Sequence, residues 1–196
     1  MYTLKVYLLV FLIPCSATSS VLDSDIFKKE YLNPRSVDHR KSSGRWYEQM
    51  DTLNDVTRDN TFVDFMVPCG ERIRSVYIIH RWILSVEECH TKAIAFQPQT
   101  SDSPEGALIL MSTNDTVGKL TFRYFDPHPT EGILVIHRQT LHLPDSYFVL
   151  CRQKDPSNLD KAIKQALRAL HLDTGDFYNK SKDFGCERRE ENGIKL

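Results

Sequence analysis

The strongest constraint on the fold is a succession of short segments, rich in β-branched and aromatic residues and separated by turn residues. Such segments predict strands, and their number and spacing are typical of an all-β sandwich or barrel. The predicted strands are Arg45–Thr52, Thr61–Val67, Arg72–Leu84, Cys89–Gln97, Gly106–Ser112, Lys119–Phe125, Gly132–Arg138 and Ser146–Gln153. Gly44 and Trp46 open the first strand, where one large aromatic side chain suits the narrow end of a closed barrel.

One helix is predicted after the last strand. Asp155–Ser157 forms a helix start, with proline in the first turn and a small polar residue beside it. The apolar residues that follow at helical spacing are Leu159, Ile163, Leu167 and Leu170. Because this stripe needs an apolar surface to cover it, we expect the helix to pack against the outside of the barrel.

The N-terminal residues predict export from the cell. Residues 1–19 have the pattern of a signal peptide: Lys5 is followed by an apolar run over 6–13 and by small residues at Ala17–Ser19. Residues 20–43 are predicted to form an arm with one helical turn at Ile26–Tyr31, and residues 190–196 a tail. The intervening 44–189 form one domain, and a net charge of -1 gives no electrostatic reason to expect nucleic acid or an anionic membrane as a partner.

An oxidising environment changes how the cysteines are interpreted. Cys69, Cys89, Cys151 and Cys186 lie beyond the predicted signal peptide, and an even number of cysteines in a secreted chain indicates disulfides. Four cysteines allow three pairings, so the connectivity stays open at this point. Acceptor sites for N-glycosylation are expected at Asn114 and Asn179.

Together these residues resemble the lipocalin family. Gly44-Arg45-Trp46-Tyr47 matches the first lipocalin motif, and residues 146–152 resemble the last-strand motif, whose arginine, here Arg152, packs over the tryptophan. The middle motif, typically Thr-Asp-Tyr, has no clear counterpart. The resemblance covers about Arg40–Arg189 and implies an eight-stranded antiparallel up-and-down barrel with the helix outside.

Several stretches lean toward the orosomucoid and apolipoprotein M branch, including Glu88–Lys92 and Lys182–Cys186. In that branch a disulfide joins a mid-barrel strand to the tail, which implies a Cys89–Cys186 bridge. Cys69 and Cys151 fall toward the same end of the barrel and are the candidate second pair.

Strand alternation predicts the lining of the barrel. If Trp46 points inward, so do Glu48 and Met50, and on the other strands we chose the inward set by apolar content. Those residues are Phe62, Met66, Tyr77, Ile79, Ile94, Phe96, Phe122, Tyr124, Val135, His137, Tyr147 and Val149. They form an apolar cup with scattered polar tips, which suits a hydrophobic or amphipathic ligand, although the same aromatics could fill a dry core.

Two carboxylates stand out at these positions, Glu48 and Asp64. A carboxylate in an apolar barrel needs a partner or a raised pKa. Each could face a cationic ligand, lie in water near the rim, or pair with an arginine, for which Arg72, Arg74 and Arg123 are the candidates.

The resemblance implies a secreted, monomeric carrier of a small ligand. Two alternatives remain. The exterior or the open-end loops could bind another protein, such as a receptor or a plasma protein, or Cys69 could serve as the reactive cysteine of an isomerase like the lipocalin-type prostaglandin D synthase. The spacing of the 7 histidines matches no metal motif, so neither a metal nor a cofactor is expected.

Overall fold

A computed structural model describes residues 37–53, 59–68, 76–84, 88–98, 107–110, 118–140 and 144–182. The strands are β1 Gly44–Asp51, β2 Asp59–Met66, β3 Val76–Leu84, β4 Glu88–Pro98, β5 Ala107–Leu110, β6 Gly118–Phe125, β7 Ile133–Thr140, β8 Ser146–Cys151 and β9 Tyr178–Asn179. The first eight correspond to the predicted strands, and the short β9 was not predicted. Helix α1 is Asp160–Ala169, and single 3₁₀ turns cover His39–Ser42, Ser157–Leu159 and Thr174–Asp176.

The strands form one antiparallel sheet that closes on itself. Their order is β2-β3-β4-β5-β6-β7-β8-β1-β9, and an additional β1–β2 ladder joins the two ends of the eight-strand series. This is the predicted up-and-down barrel. The helices in the described ranges lack the length and the apolar composition of a membrane-spanning segment.

The ladders divide the apolar side chains into an inner and an outer cluster. The inner cluster contains Trp46, Val63, Phe65, Val76, Ile78, Phe96, Phe122, Phe125, Leu134, Ile136 and Leu150. The outer cluster contains Ile133, Val135, Val149, Cys151, Leu159, Ile163 and Leu167. Because Leu159, Ile163 and Leu167 of the apolar stripe belong to the outer cluster, α1 packs outside the barrel, as predicted.

The end of the barrel that holds Trp46, which we call the closed end, is sealed by Arg152 and Gly44. The Arg152 guanidinium lies 3.9 Å from the centroid of the Trp46 ring, the contact that the family resemblance implied. It also donates to the carbonyls of Lys41, Ser43 and Arg45. Gly44 has φ +98, and a Cβ there would lie 3.0 Å from Arg152 Nη1, so the arginine can lie this close only because residue 44 is glycine.

Two β-bulges change the predicted facing of residues. The register of β1 with β8 shifts between Glu48 and Met50, and that of β6 with β7 shifts between Phe122 and Tyr124. Beyond each bulge the alternation is inverted. Met50 and Tyr124 therefore pack against the outer cluster, and their predicted places inside the barrel are wrong.

The predicted Cys69–Cys151 pair is also wrong. Cys151 is a free thiol, fully buried in the outer cluster beneath α1. Cys89 is disulfide-bonded, and its partner lies outside the described residues. Several predictions concern residues outside the described ranges and stay predictions. They are those for Cys69, Cys186, Asn114, the signal peptide and the turn at Ile26–Tyr31.

Candidate functional site in the barrel interior

The closed end of the barrel has an apolar aromatic floor. Phe122 meets Phe65 edge to face at 5.9 Å and Phe125 at 5.6 Å between ring centroids. The His39 ring covers Phe122 from below at 5.4 Å, and burial lowers the pKa of His39 to about 4. Trp46 Nε1 donates to the Ser42 carbonyl at 2.8 Å, which ties the 3₁₀ turn to the floor.

Toward the opposite end, which we call the open end, the inner wall becomes accessible. On β4 the successive inward positions are Phe96, which is 5% exposed, then Ile94, which is partly exposed, and then Lys92, which is exposed. On β8 the same progression runs from Leu150, which is 2% exposed, to the partly exposed Phe148. Side chains that face inward and still have accessible surface line space rather than a filled core.

Above the floor, three polar side chains form a buried cluster, which we call the acid–lysine cluster: Glu48, Asp51 and Lys180. Lys180 Nζ lies 3.0 Å from Asp51 Oδ2, and the two side chains are 4% and 3% exposed. Glu48 shares a hydrogen bond with Asp51. Burial, followed by the negative charge of Asp51, raises the pKa of Glu48 well above its usual value, which favours the protonated acid.

Arg138 lies on the inner wall beside this cluster. It occupies the register position opposite Ser146, and its Nε donates to Ser146 Oγ at 3.1 Å. Its guanidinium lies 4.9 Å from the centroid of Phe148. The positive charges of Lys180 and Arg138 both act to lower the pKa of Glu48, but burial outweighs them. The upper inner wall thus places the Arg138 guanidinium next to a partly exposed aromatic ring.

The C-terminal strand β9 brings Lys180 into the barrel. The β1–β2 ladder ends at Tyr47 and Phe62, and beyond it β9 pairs with the free edge of β1. The Lys180 N–H donates to the Gln49 carbonyl at 2.8 Å, next to the bulge. Asp51 and Lys180 were not predicted as site residues. Lys180 was missed because the two-residue strand β9 that precedes it has no periodic pattern in the sequence. Asp51 was missed because it faces inward only as a result of the bulge.

Of the predicted lining, Glu48, Ile94, Phe96 and Phe122 face the interior. Several other predictions are wrong. His137 and Tyr147 stack on the outer face at 4.5 Å, with His137 Nε2 3.0 Å from Asp145 Oδ2. Val135 and Val149 belong to the outer cluster beneath α1.

On β2 the residues that were predicted to face inward face outward. Phe62 packs with Tyr47 and Cys89 outside the barrel, because Val63 and Phe65 take the inward positions. By the same alternation Met66 and Ile79 face outward, and Tyr77 holds the register position opposite Met66. Asp64 is also external and pairs with Arg45, whose Nε lies 2.8 Å from Asp64 Oδ1. Arg45 was not among the arginines proposed from the sequence.

No group of three histidine, cysteine, aspartate or glutamate side chains is placed to hold a metal ion within the described ranges.

Comparison with known proteins identifies the fold. No protein-family model and no curated protein matches the sequence. Solved structures do match: insecticyanin from the tobacco hornworm Manduca sexta, with a TM-score of 0.60 at 10% identity, covers 77% of this chain and 82% of its own. The crustacyanin from the lobster Homarus americanus gives 0.56 at 14% identity, covering 84% and 96%. A lobster apocrustacyanin gives 0.55 at 14% identity, covering 73% and 78%.

The chain has the lipocalin fold. The described barrel, the outer helix and the arginine over the tryptophan all belong to that fold. The comparisons do not support the orosomucoid and apolipoprotein M branch, since the structures named above are crustacyanins and an insecticyanin. The candidate site lies at the open end of this barrel, above the aromatic floor.

Proposed function

We propose that the protein is a secreted carrier that binds a small hydrophobic or amphipathic molecule inside its lipocalin barrel. The observation that carries the proposal is the inner wall, whose apolar side chains change from fully buried at the closed end to partly exposed toward the open end. An eight-stranded barrel can hold one small ligand. A mostly apolar lining with a few polar groups is the usual composition of such a site.

The mechanism is reversible burial without a chemical step. A ligand that buries about 300 Å² of apolar surface would gain about 7 kcal/mol before the costs of ordering are subtracted. The floor of Trp46 and Phe122 limits how deep the ligand can enter, because both residues are fully buried and their rings are in contact with neighbours. The ligand therefore contacts the wall above Phe122.

Secretion, glycosylation and the disulfide pattern belong to the same proposal. The signal-like residues 1–19 and the sequons at Asn114 and Asn179 support export. Asn179 is exposed in β9, where a glycan would not disturb the buried side chain of Lys180. The bonded state of Cys89 supports the Cys89–Cys186 bridge. The proposal makes no use of Cys69, and its binding mechanism needs no nucleophile.

The test is a ligand titration monitored by tryptophan fluorescence. The panel contains retinoids, fatty acids, steroids and basic amphiphiles, and at least one class should quench or shift the emission with saturation at one ligand per chain. A folded protein, verified by circular dichroism, that responds to no member of the panel would contradict the proposal.

Two neighbouring positions on β4 provide a matched control. Ile94→Glu places a charge on the accessible inner wall and should weaken binding at least about tenfold, because the carboxylate would displace apolar contacts. Ala93→Glu places the same charge on the exposed outer side and should leave affinity unchanged. Equal loss in both variants would place the ligand outside the barrel.

A further inference from the structure

We propose that the exposed face of α1 binds a linear sulfated polysaccharide through three cationic side chains, which we call the basic face: Lys161, Lys164 and Arg168. The inference goes beyond the carrier function and does not depend on which ligand the barrel holds. It follows from a pattern of charge on α1 that the interactions of the described residues do not explain.

The three positive charges follow one stripe of the helix. Lys161, Lys164 and Arg168 are spaced i, i+3 and i+7, which places them side by side on a helix. At a rise of 1.5 Å per residue the stripe is about 10 Å long. All three residues are exposed, whereas Ile163 and Leu167 on the opposite side of the helix are buried in the outer cluster. The basic face therefore points away from the barrel.

The basic face is not neutralised within the described part of the chain. There, no ion pair and no side-chain hydrogen bond reaches Lys161, Lys164 or Arg168. The single acidic residue of α1 is Asp160, in the first turn. Together with burial, which is the larger cause, its charge raises the pKa of the Cys151 thiol, so Asp160 acts toward the sheet side. The three cations thus remain available to an external anion.

This arrangement of charge opposes the stability of the helix. Lys161 and Lys164 lie in the first two turns, where the partial positive charge of the helix N-terminus repels cations. Like charges spaced i, i+3 and i, i+4 also repel one another, as Lys164 does with each of the other two. Only Arg168, in the last turn, is favourably placed. A costly pattern with no internal partner indicates a partner outside the molecule.

The composition of the face selects the class of anion. A helix that binds a membrane surface inserts apolar side chains, but the apolar stripe of α1 is covered by the sheet. Single-stranded nucleic acid stacks on aromatic rings, and the residue that lies among the three cations is Gln165. A sulfated polysaccharide requires only cations placed along a line, and a guanidinium such as that of Arg168 can hold an oxyanion through two oxygens. It is also a polyanion that a secreted protein would meet.

The experiment is isothermal titration calorimetry of the intact protein with heparin at about 50 and 200 mM salt. Lys161→Gln/Lys164→Gln should lower heparin affinity at least about tenfold at the lower salt and make affinity less dependent on salt. Lys41→Gln/Lys119→Gln removes the same charge at accessible positions outside α1 and should leave the affinity nearly unchanged. Equal losses in the two double variants would show an effect of net charge and overturn the assignment to the basic face.

A structural role of the two lysines is tested by thermal unfolding. Because Lys161→Gln/Lys164→Gln removes repulsion within α1, its melting temperature should equal or exceed that of the wild type. A clearly lower melting temperature would show that the lysines stabilise the protein, and would overturn the argument from the charge pattern.

Parallel titrations separate the polysaccharide from other polyanions. The probes are neutral dextran, vesicles of phosphatidylcholine with phosphatidylserine, and a DNA duplex, and each should bind more weakly than heparin. Tighter binding of the vesicles or of DNA would overturn the polysaccharide assignment, as would the lack of saturable heparin binding at the lower salt. The ligand titration of the barrel tests the carrier function separately, since the basic face lies on the outside of the barrel.

Discussion

Gly44 shows how one residue fixes the geometry of the closed end. Its φ of +98 lies in the region that L side chains rarely adopt, and Arg152 Nη1 occupies the space that a Cβ would need. The Gly-x-Trp motif therefore begins with a glycine for a steric reason. It lets the guanidinium reach both the indole face and the carbonyls of the preceding turn.

Gly44→Ala should lower the free energy of unfolding by about 1–3 kcal/mol, because it combines backbone strain with a clash against Arg152. Urea denaturation followed by circular dichroism measures the change. Gly175→Ala is the control: its Cβ would lie 3.4 Å from Asp173 Oδ1, an ordinary contact, and the change should stay within about 0.5 kcal/mol. Equal effects in the two variants would refute the steric explanation of Gly44.

His39 makes stability depend on pH. Burial beneath Phe122 lowers its pKa from 6.5 to about 4, so between these values the unfolded chain binds more protons than the folded one. The free energy of unfolding must then decrease as the pH falls through this window. Below the window His39 causes no further change, and its total contribution is a loss of about 3 kcal/mol.

Comparison with His39→Gln isolates this effect from that of Glu48 and other groups. The difference in unfolding free energy between wild type and variant should decrease by about 3 kcal/mol from pH 7 to pH 4, as measured by urea denaturation at several pH values. A difference that does not change with pH would show that His39 titrates normally in the folded protein.

At the scale of elements, strand β9 contributes to the stability of the barrel mainly through one side chain, that of Lys180. It forms few backbone pairs with β1, yet it carries Lys180 to Asp51 in the barrel wall. The neighbouring Lys182 also forms an ion pair, with Asp155 at 2.8 Å, but there the side chains are 50% and 65% exposed. Two lysines on the same segment thus provide a buried and an exposed ion pair for comparison.

Lys180→Met should destabilise the protein by about 3–5 kcal/mol, because it leaves Asp51 buried without its cation. Lys182→Met should have a much smaller effect on stability than Lys180→Met, since water screens the exposed pair. Thermal and urea unfolding of both variants measure this. Adding Asp51→Asn to Lys180→Met should recover part of the loss, and a double variant less stable than the single one would contradict the pairing.

The elements were predictable from sequence, and the lining of the barrel was only partly so. Turn residues and β-branched runs located the eight main strands and the helix start, because those signals are local. The predictions of which side chains face inward on β2, β7 and β8 were wrong, because apolar content does not distinguish the two sides of a strand. Tyr147, Val149 and Val135 are apolar on the outer face, where α1 covers them. Bulges at Glu48–Met50 and Phe122–Tyr124 depend on pairing with distant strands and have no local signature.

At the scale of the whole molecule, the described residues place an apolar layer on each side of the sheet. The inner layer is a floor that stops below the acid–lysine cluster, and the outer layer is a core shared by the sheet and α1. The reactivity of Cys151 reports on the packing of the outer layer. Its thiol is fully buried there, and burial raises its pKa to about 12.

Cys151 should resist alkylation in the native protein and become labelled only after denaturation, without any reduction. The protonated, inaccessible thiol is unreactive until α1 leaves the sheet. Peptide mass spectrometry after iodoacetamide treatment measures the labelling. Labelling of Cys151 at the same rate in native and denatured protein would contradict the packing of α1, and a Cys69–Cys151 disulfide in the peptide map would contradict the free thiol.

The bulge in β1 has a consequence for how such a barrel can diverge. Because the register shifts between Glu48 and Met50, Asp51 faces the lumen and Met50 the helix side. Gln49 is the extra residue, so deleting it would give regular alternation and leave Met50 on the helix side and Asp51 toward the lumen. The bulge thus absorbs one additional residue without changing which side chains face the ligand space. A strand of this kind can therefore change in length by one codon while the lining of the barrel is retained.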